Sequence, residues 1–171
     1  MKTLNKLFSI FILLFITITG SSFGNEPIAY LDIDFIIKNS DIGKKSLVKI
    51  NDLNKKNIKD LKIKEKILKD LEIEISNKKK IISKDAFDKE IINFRKKVDK
   101  FKAEQKQMIK NFNDYKKKEI DEVFKKISPI INSYMENKSI KILFDAKNIF
   151  MARNDLNLTN DILKNINKEI E

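Results

Sequence analysis

The 171-residue chain has no cysteine and no histidine. Without them the usual nucleophile–base pairs lose a member, and most transition-metal sites lose their ligands. No disulfide can form, so packing and assembly must hold the fold together. Glycine is scarce too: three in all, of which only Gly43 lies beyond the first 24 residues. A phosphate-cradling glycine-rich loop is therefore missing, which excludes a nucleotide-driven machine. Arginine is nearly absent: of 36 basic residues only Arg95 and Arg153 are arginine. Arginine is the side chain of bidentate phosphate and base reading, whereas lysine is a flexible point charge. A pI near 9.6 thus comes from a surface that attracts anions broadly, and the chain is read as binding no nucleic acid.

The longest absence is internal. Residues 44–128, 85 in a row, contain neither glycine nor proline. Globular domains need these breakers for turns, so a stretch this long without them, rich in Lys, Glu, Ile and Leu, predicts very long helices. The first 24 residues read as a secretory leader: Lys2 and Lys6, an apolar run over 7–18, then small residues ending at Gly24. A run of 12 is short of the ~20 apolar residues a spanning helix needs. Cleavage near Gly24 is expected, lowering the net charge from +11 to +9 by the loss of two lysines.

The rest divides into a body at both chain ends, 25–43 with 138–171, and an arm over 44–137. Ile28-Ala29-Tyr30-Leu31-Asp32-Ile33 reads as a strand, followed by a helical turn or two over 34–39 and a turn at Gly43. The first long helix is expected over about 44–77. Its apolar positions, Leu47, Ile50, Leu53, Ile58, Leu61, Leu68, Leu71 and Ile75, make a loose seam interrupted by Asn54, Asn57 and Lys64. The polar cluster about 77–84 is the expected hairpin tip, with Ser83 or Asp85 as a cap. The second helix, about 84–137, has a regular heptad seam of Phe87, Ile91, Phe94, Val98, Phe101, Gln105, Met108, Phe112 and Tyr115. The seam slips and resumes at Ile120, Val123, Ile127, Ile130 and Tyr134. Pro129 is expected to kink the helix and serve as a hinge. Residues 140–144 and 149–152 read as two more strands, and Thr159 as the cap of a last helix from Asn160. The fold class is thus α+β, mostly α: a small body with three short strands and a protruding coiled-coil hairpin. A body of ~55 residues is marginal alone, so several copies are expected to pool their strands into a closed barrel.

The order and spacing of these segments resemble the Skp/OmpH family of periplasmic chaperones over essentially the whole chain beyond the leader. The resemblance is carried by Ile28-Ala29-Tyr30-Leu31-Asp32, Asp41-Ile42-Gly43-Lys44-Lys45, the charged hairpin, Ile142-Leu143-Phe144-Asp145-Ala146, Phe150-Met151-Ala152 and Asp155-Leu156-Asn157-Leu158-Thr159-Asn160. It implies a homotrimer whose bodies form a barrel, with three arms around a cavity that holds unfolded outer-membrane proteins without ATP. Two departures stand out. The family usually has glycine before the second strand, where this chain has Ser139, with Asn137 expected to take the left-handed position. Family members also often carry more arginine in the arms. A lipopolysaccharide-binding basic cluster, proposed for some members, has no residue-by-residue match among so many lysines.

Within that frame the seam phenylalanines hold the two arm helices together, and apolar residues off the seam are the candidates for client contact: Ile73, Ile81, Ile92 and Ile109. The arm is electropositive. Residues 76–106 carry 11 basic and 5 acidic side chains, and Lys78, Lys79, Lys80, Lys84, Arg95, Lys96 and Lys97 are the candidate electrostatic surface. Carboxylate neighbours such as Glu72/Glu74 and Asp85/Asp88 belong to solvated helix faces. No catalytic residue, metal or cofactor is expected. Two other readings remain open: a structural coiled-coil adaptor in the envelope, and a protein that binds anionic lipid or lipopolysaccharide.

Overall fold

A computed structural model of the chain describes residues 27–170. The expected leader and its cleavage point lie outside the described residues. Element order is β1 (Ile28–Leu31), α1 (Ile33–Asn39), α2 (Asp41–Lys78), α3 (Lys84–Asn137), β2 (Ile142–Asp145), two 3-10 turns (Ala146–Asn148 and Asn154–Leu156) and α4 (Thr159–Glu169).

α2 and α3 form the arm. They have 38 and 54 residues, which at 1.5 Å per residue gives about 57 and 81 Å. Ser83 caps α3, its Oγ accepting from Ala86 N. α2 begins earlier than expected because Ser40, not a residue after Gly43, is its cap: Ser40 Oγ accepts from Gly43 N at 3.2 Å. Gly43 is therefore inside the helix. It is needed because α2 crosses the last turn of α1, where an added Cβ would lie 1.9 Å from the carbonyl oxygen of Ile37.

The far third of α3 runs through the body. Val123, Ile127, Ile130 and Ile131 pack with Leu31, Ile36 and Ile37 near the chain start and with Ile162 and Ile166 of α4. α3 continues through Pro129. Proline removes the bond to the carbonyl four residues back, and the neighbouring Ser128 hydroxyl donates to Phe124 O at 2.7 Å.

β1 and β2 pair in parallel, Ile28 opposite Ile142 and Leu31 opposite Asp145. The third expected strand does not form in the single chain: residues 149–152 join no ladder. Asp145 Oδ1 accepts from Lys147 N and opens a 3-10 turn that leads the chain away. The free side of β1 receives Asn157 in an isolated bridge to Tyr30, and Leu158 N donates to Tyr30 O at 2.9 Å. The intervening loop is left with Phe150 and Met151 exposed.

Two capping expectations change. Thr159 is the first residue of α4 rather than its cap. Its buried hydroxyl accepts from Asp32 N at 2.9 Å and donates to Asn157 Oδ1 at 2.6 Å, fastening the C-terminal segment to the N-terminal one. At the end of α3 the left-handed residue is Ser139 itself (φ 55°), not Asn137. Ser139 N donates to Glu136 O and Ile140 N to Met135 O, the two bonds of a Schellman ending with serine where glycine is usual. A Cβ in this conformation costs ~1–2 kcal/mol, and glycine returns part of it as unfolded-state entropy. Ser139→Gly is thus expected to stabilise the protein by about 0.5 kcal/mol, seen as a higher urea midpoint at unchanged slope.

Candidate binding surface

The arm seam is thin. α2 buries nothing fully between Ile50 and Ile75, and α3 nothing before Val123. Phe87, Ile91, Phe94, Val98, Phe101, Met108, Phe112 and Tyr115 are half-buried, as a two-helix seam requires. Burial, then Glu119, pushes the Tyr115 hydroxyl above its ordinary pKa. Gln105 departs from expectation: it is exposed, and Glu104 turns inward instead. The cause lies across the seam, where Lys64 Nζ sits 2.5 Å from Glu104 Oε2. That bond holds the Glu104 carboxyl below its ordinary pKa. A second cross-arm pair, Lys49–Glu119 at 3.5 Å, lies nearer the body.

Apolar side chains that miss the seam face solvent. Ile73, Ile81, Ile92 and Ile109 are all exposed, from 80% at Ile81 in the turn to 51% at Ile92. The fold does not gather them into one pocket; they are strung along the arm from its tip to its middle. Val48, Ile58, Ile63 and Ile67 on α2 are also exposed and extend the set. Ile58 was expected in the seam and is not, because the inward position one residue earlier is taken by Asn57. The signal for Ile63 and Ile67 was present in the sequence, since both sit off the inward positions Leu61 and Leu68. Ile58 and Ile63 lie in a shallow groove with Lys55, Lys59, Lys62 and Lys66 around them. Of these, Lys66 pairs with Asp70 at 2.9 Å.

The basic residues at the tip differ in their freedom. Lys78 is half-buried and bonded to Glu74 at 2.6 Å, which raises its pKa. Lys79 and Lys80 are exposed in the turn, and Lys84 is exposed at the first position of α3. Arg95, Lys96 and Lys97 are exposed and, as consecutive helical residues, point about 100° apart. Pro129 sits between the buried Ile127 and Ile130.

The body presents a different surface. Ala29, Leu31 and Leu143 turn one face of the sheet inward, leaving Ile28, Ile142 and Phe144 exposed on the other. Beside them an open apolar cleft of about 300 Å³ is lined by Tyr30, Ile149, Met151 and Leu156 among others. Among the described residues no cluster of three or more His, Cys, Asp or Glu could hold a metal, and no helix is long and apolar enough to cross a membrane.

The long hairpin on a small body has known relatives. The family described as outer membrane protein (OmpH-like) matches residues 27–166. No curated protein matches the chain. Among solved structures it is similar to an OmpH-like outer membrane chaperone from Caulobacter crescentus CB15, with a TM-score of 0.75 at 14% identity, covering 84% of this chain and 86% of that one. At that identity the likeness speaks for the fold, and the family match spans most of the chain. The chain belongs to the OmpH-like family, the Skp/OmpH group that its motifs resemble.

Proposed function

We propose that this protein is an ATP-independent periplasmic holdase that binds unfolded outer-membrane proteins between its arms and keeps them from aggregating. One observation carries the reading: eight aliphatic side chains, Val48, Ile58, Ile63, Ile67, Ile73, Ile81, Ile92 and Ile109, stand exposed on a lysine-rich arm. Fully burying one such side chain gains about 1.5–3 kcal/mol. Half-exposed ones gain less, and association and client ordering cost several kcal/mol. A client touching a few of them is held weakly and released without fuel. The positive charge at the tip, from Lys79, Lys80, Lys84, Arg95, Lys96 and Lys97, steers acidic clients by long-range attraction that salt screens within ~10 Å at 0.1 M. Pro129, where α3 lacks a backbone hydrogen bond, is the proposed pivot of the arm on the body.

We further propose that copies assemble, as three chains, through the uncovered sheet face. Ile28, Ile142, Phe144, Phe150 and Met151 are more apolar surface than a body this small leaves in water without reason. The expected leader supports export to the periplasm.

The test dilutes a urea-unfolded outer-membrane barrel into buffer with the chain from Asn25 onward, nucleotide absent, and follows light scattering. Suppression at about three chains per client is the expected result. The quadruple variant Ile73→Ser/Ile81→Ser/Ile92→Ser/Ile109→Ser should need roughly tenfold more protein, a loss of about 1.4 kcal/mol, with its melting temperature nearly unchanged. Unchanged scattering across a wide protein excess sinks the holdase. Binding of one folded partner at fixed stoichiometry would favour the adaptor, and pelleting with anionic vesicles at low salt without client would favour the lipid binder.

A further inference from the structure

The pair Lys64–Glu104 stands at the middle of the arm, an exposed Lys64 of α2 reaching across to a half-buried Glu104 of α3. A regular heptad on α3 would place Gln105 between Phe101 and Met108. Instead Glu104 is half-buried and Gln105 exposed, while Phe101, Met108 and Phe112 keep their half-buried places. Residues four apart share a helix face. Glu104 and Met108 therefore turn toward α2 together, and Gln105 and Ile109 turn away together. Ile109 is 54% exposed.

A polar pair can decide the roll of α3 about its axis here because little apolar burial opposes it. The facing α2 positions include Asn57, and α2 has no fully buried residue between Ile50 and Ile75. The seam next to the pair is also loosely filled. An open gap of about 390 Å³ is lined by Leu53, Asn57, Glu104, Gln107, Met108, Asn111 and Phe112, which leaves room for either setting. Gln107 bonds Asn111 at 2.8 Å along α3, on the same helix, and so does not tie it to α2.

We infer that Lys64 and Glu104 are positioning residues: their bond sets the roll of the central arm and thereby holds Ile109 outward. The use of Ile109 for client contact rests on the function proposed above; the roll does not. Without the bond, Glu104 loses its reason to face α2, Gln105 moves into the seam, and Ile109 follows it toward cover.

The chain has no cysteine, so Gln105→Cys and Ile109→Cys each supply a single thiol. Their alkylation rates are measured in three backgrounds: the native pair, Lys64→Ala, and the reversed pair Lys64→Glu/Glu104→Lys. With the native pair both thiols should react near the rate of an exposed thiol. Lys64→Ala should slow Cys at 105 at least fivefold and Cys at 109 at least threefold, and the reversed pair should restore both. Equal rates in all backgrounds overturn the inference. So does a rise at both sites in Lys64→Ala, which would mean that the arm merely loosens, or failure of the reversed pair to restore the rates. The measurement is then repeated on the native-pair background with an unfolded barrel bound. Protection at 109 supports its client role; no protection overturns that role and leaves the roll standing.

Discussion

Replacing Gly43 by alanine is expected to unfold the body. The new Cβ would stand 1.9 Å from Ile37 O and 2.8 Å from Ser40 Oγ. The first of these is backbone, at the end of a helix whose Ile36 and Ile37 are buried, so no side-chain rotation relieves it. α1 and α2 must separate by more than 1 Å, and only Ser40 joins them. That separation also weakens the Ser40 cap and the bond from Asp41 N to Asn167 Oδ1. Overpacking alone costs typically 1–3 kcal/mol and occasionally more. With the cap added, the loss should be at least about 3 kcal/mol, a large share of what a small domain has. The control Lys45→Ala, two residues on and exposed, should change stability by less than about 0.5 kcal/mol. Helical signal comes mostly from the arm, so the readout is amide exchange of β1 and α4. Protection in Gly43→Ala equal to that of the control would refute the account.

The same residue shows what was legible in the sequence and what was not. The breaker-free run fixed the two long helices, the cap at Ser83 set the start of α3, and the apolar pattern resuming at Ile120 carries it through Pro129 to Asn137. Glycine punctuates chains, so local pattern makes Gly43 a turn. Its actual cause is a carbonyl from the preceding helix, which local pattern does not reveal. Heptad counting put Gln105 inward, but the choice between it and Glu104 depends on Lys64, forty residues away in sequence. The αL position is Ser139 rather than Asn137 because Asn137 is still the last residue of α3, and the closing bonds to Glu136 and Met135 come from Ser139 and Ile140. Strand propensity alone marked residues 149–152, but a strand needs a ladder partner. Within one chain the place beside β1 is partly taken by Asn157. The exposure of Ile73, Ile81, Ile92 and Ile109 was readable, since these lie off the seam, whereas that of Ile58 was not, because Asn57 takes the inward place beside it. Their grouping was not readable, because it depends on how α2 and α3 lie against each other.

The double substitution Phe144→Glu/Phe150→Glu is expected to convert the proposed three-chain assembly to single chains and to lower the melting temperature of the body. In the isolated chain Phe150 is fully exposed and Phe144 nearly half exposed. Exposed positions tolerate substitution within about ±0.5 kcal/mol, so a lone chain should barely notice the Phe150 change. If copies pool their sheet faces, the same carboxylates enter an apolar interface. An unpaired buried charge there costs several kcal/mol, once for every chain in the ring. Mass by light scattering should fall from three chains to one, with the helical signal of the arm kept. Phe150→Glu alone should separate the two cases most cleanly, because the fold of a single chain gives it no contact to lose. A loss of stability in that variant, growing weaker on dilution of the native protein toward its dissociation range, would be attributable to neighbouring copies. A native protein already at the mass of one chain, or a variant still at three, would sink the pooled sheet and leave the apolar face to some other occupant.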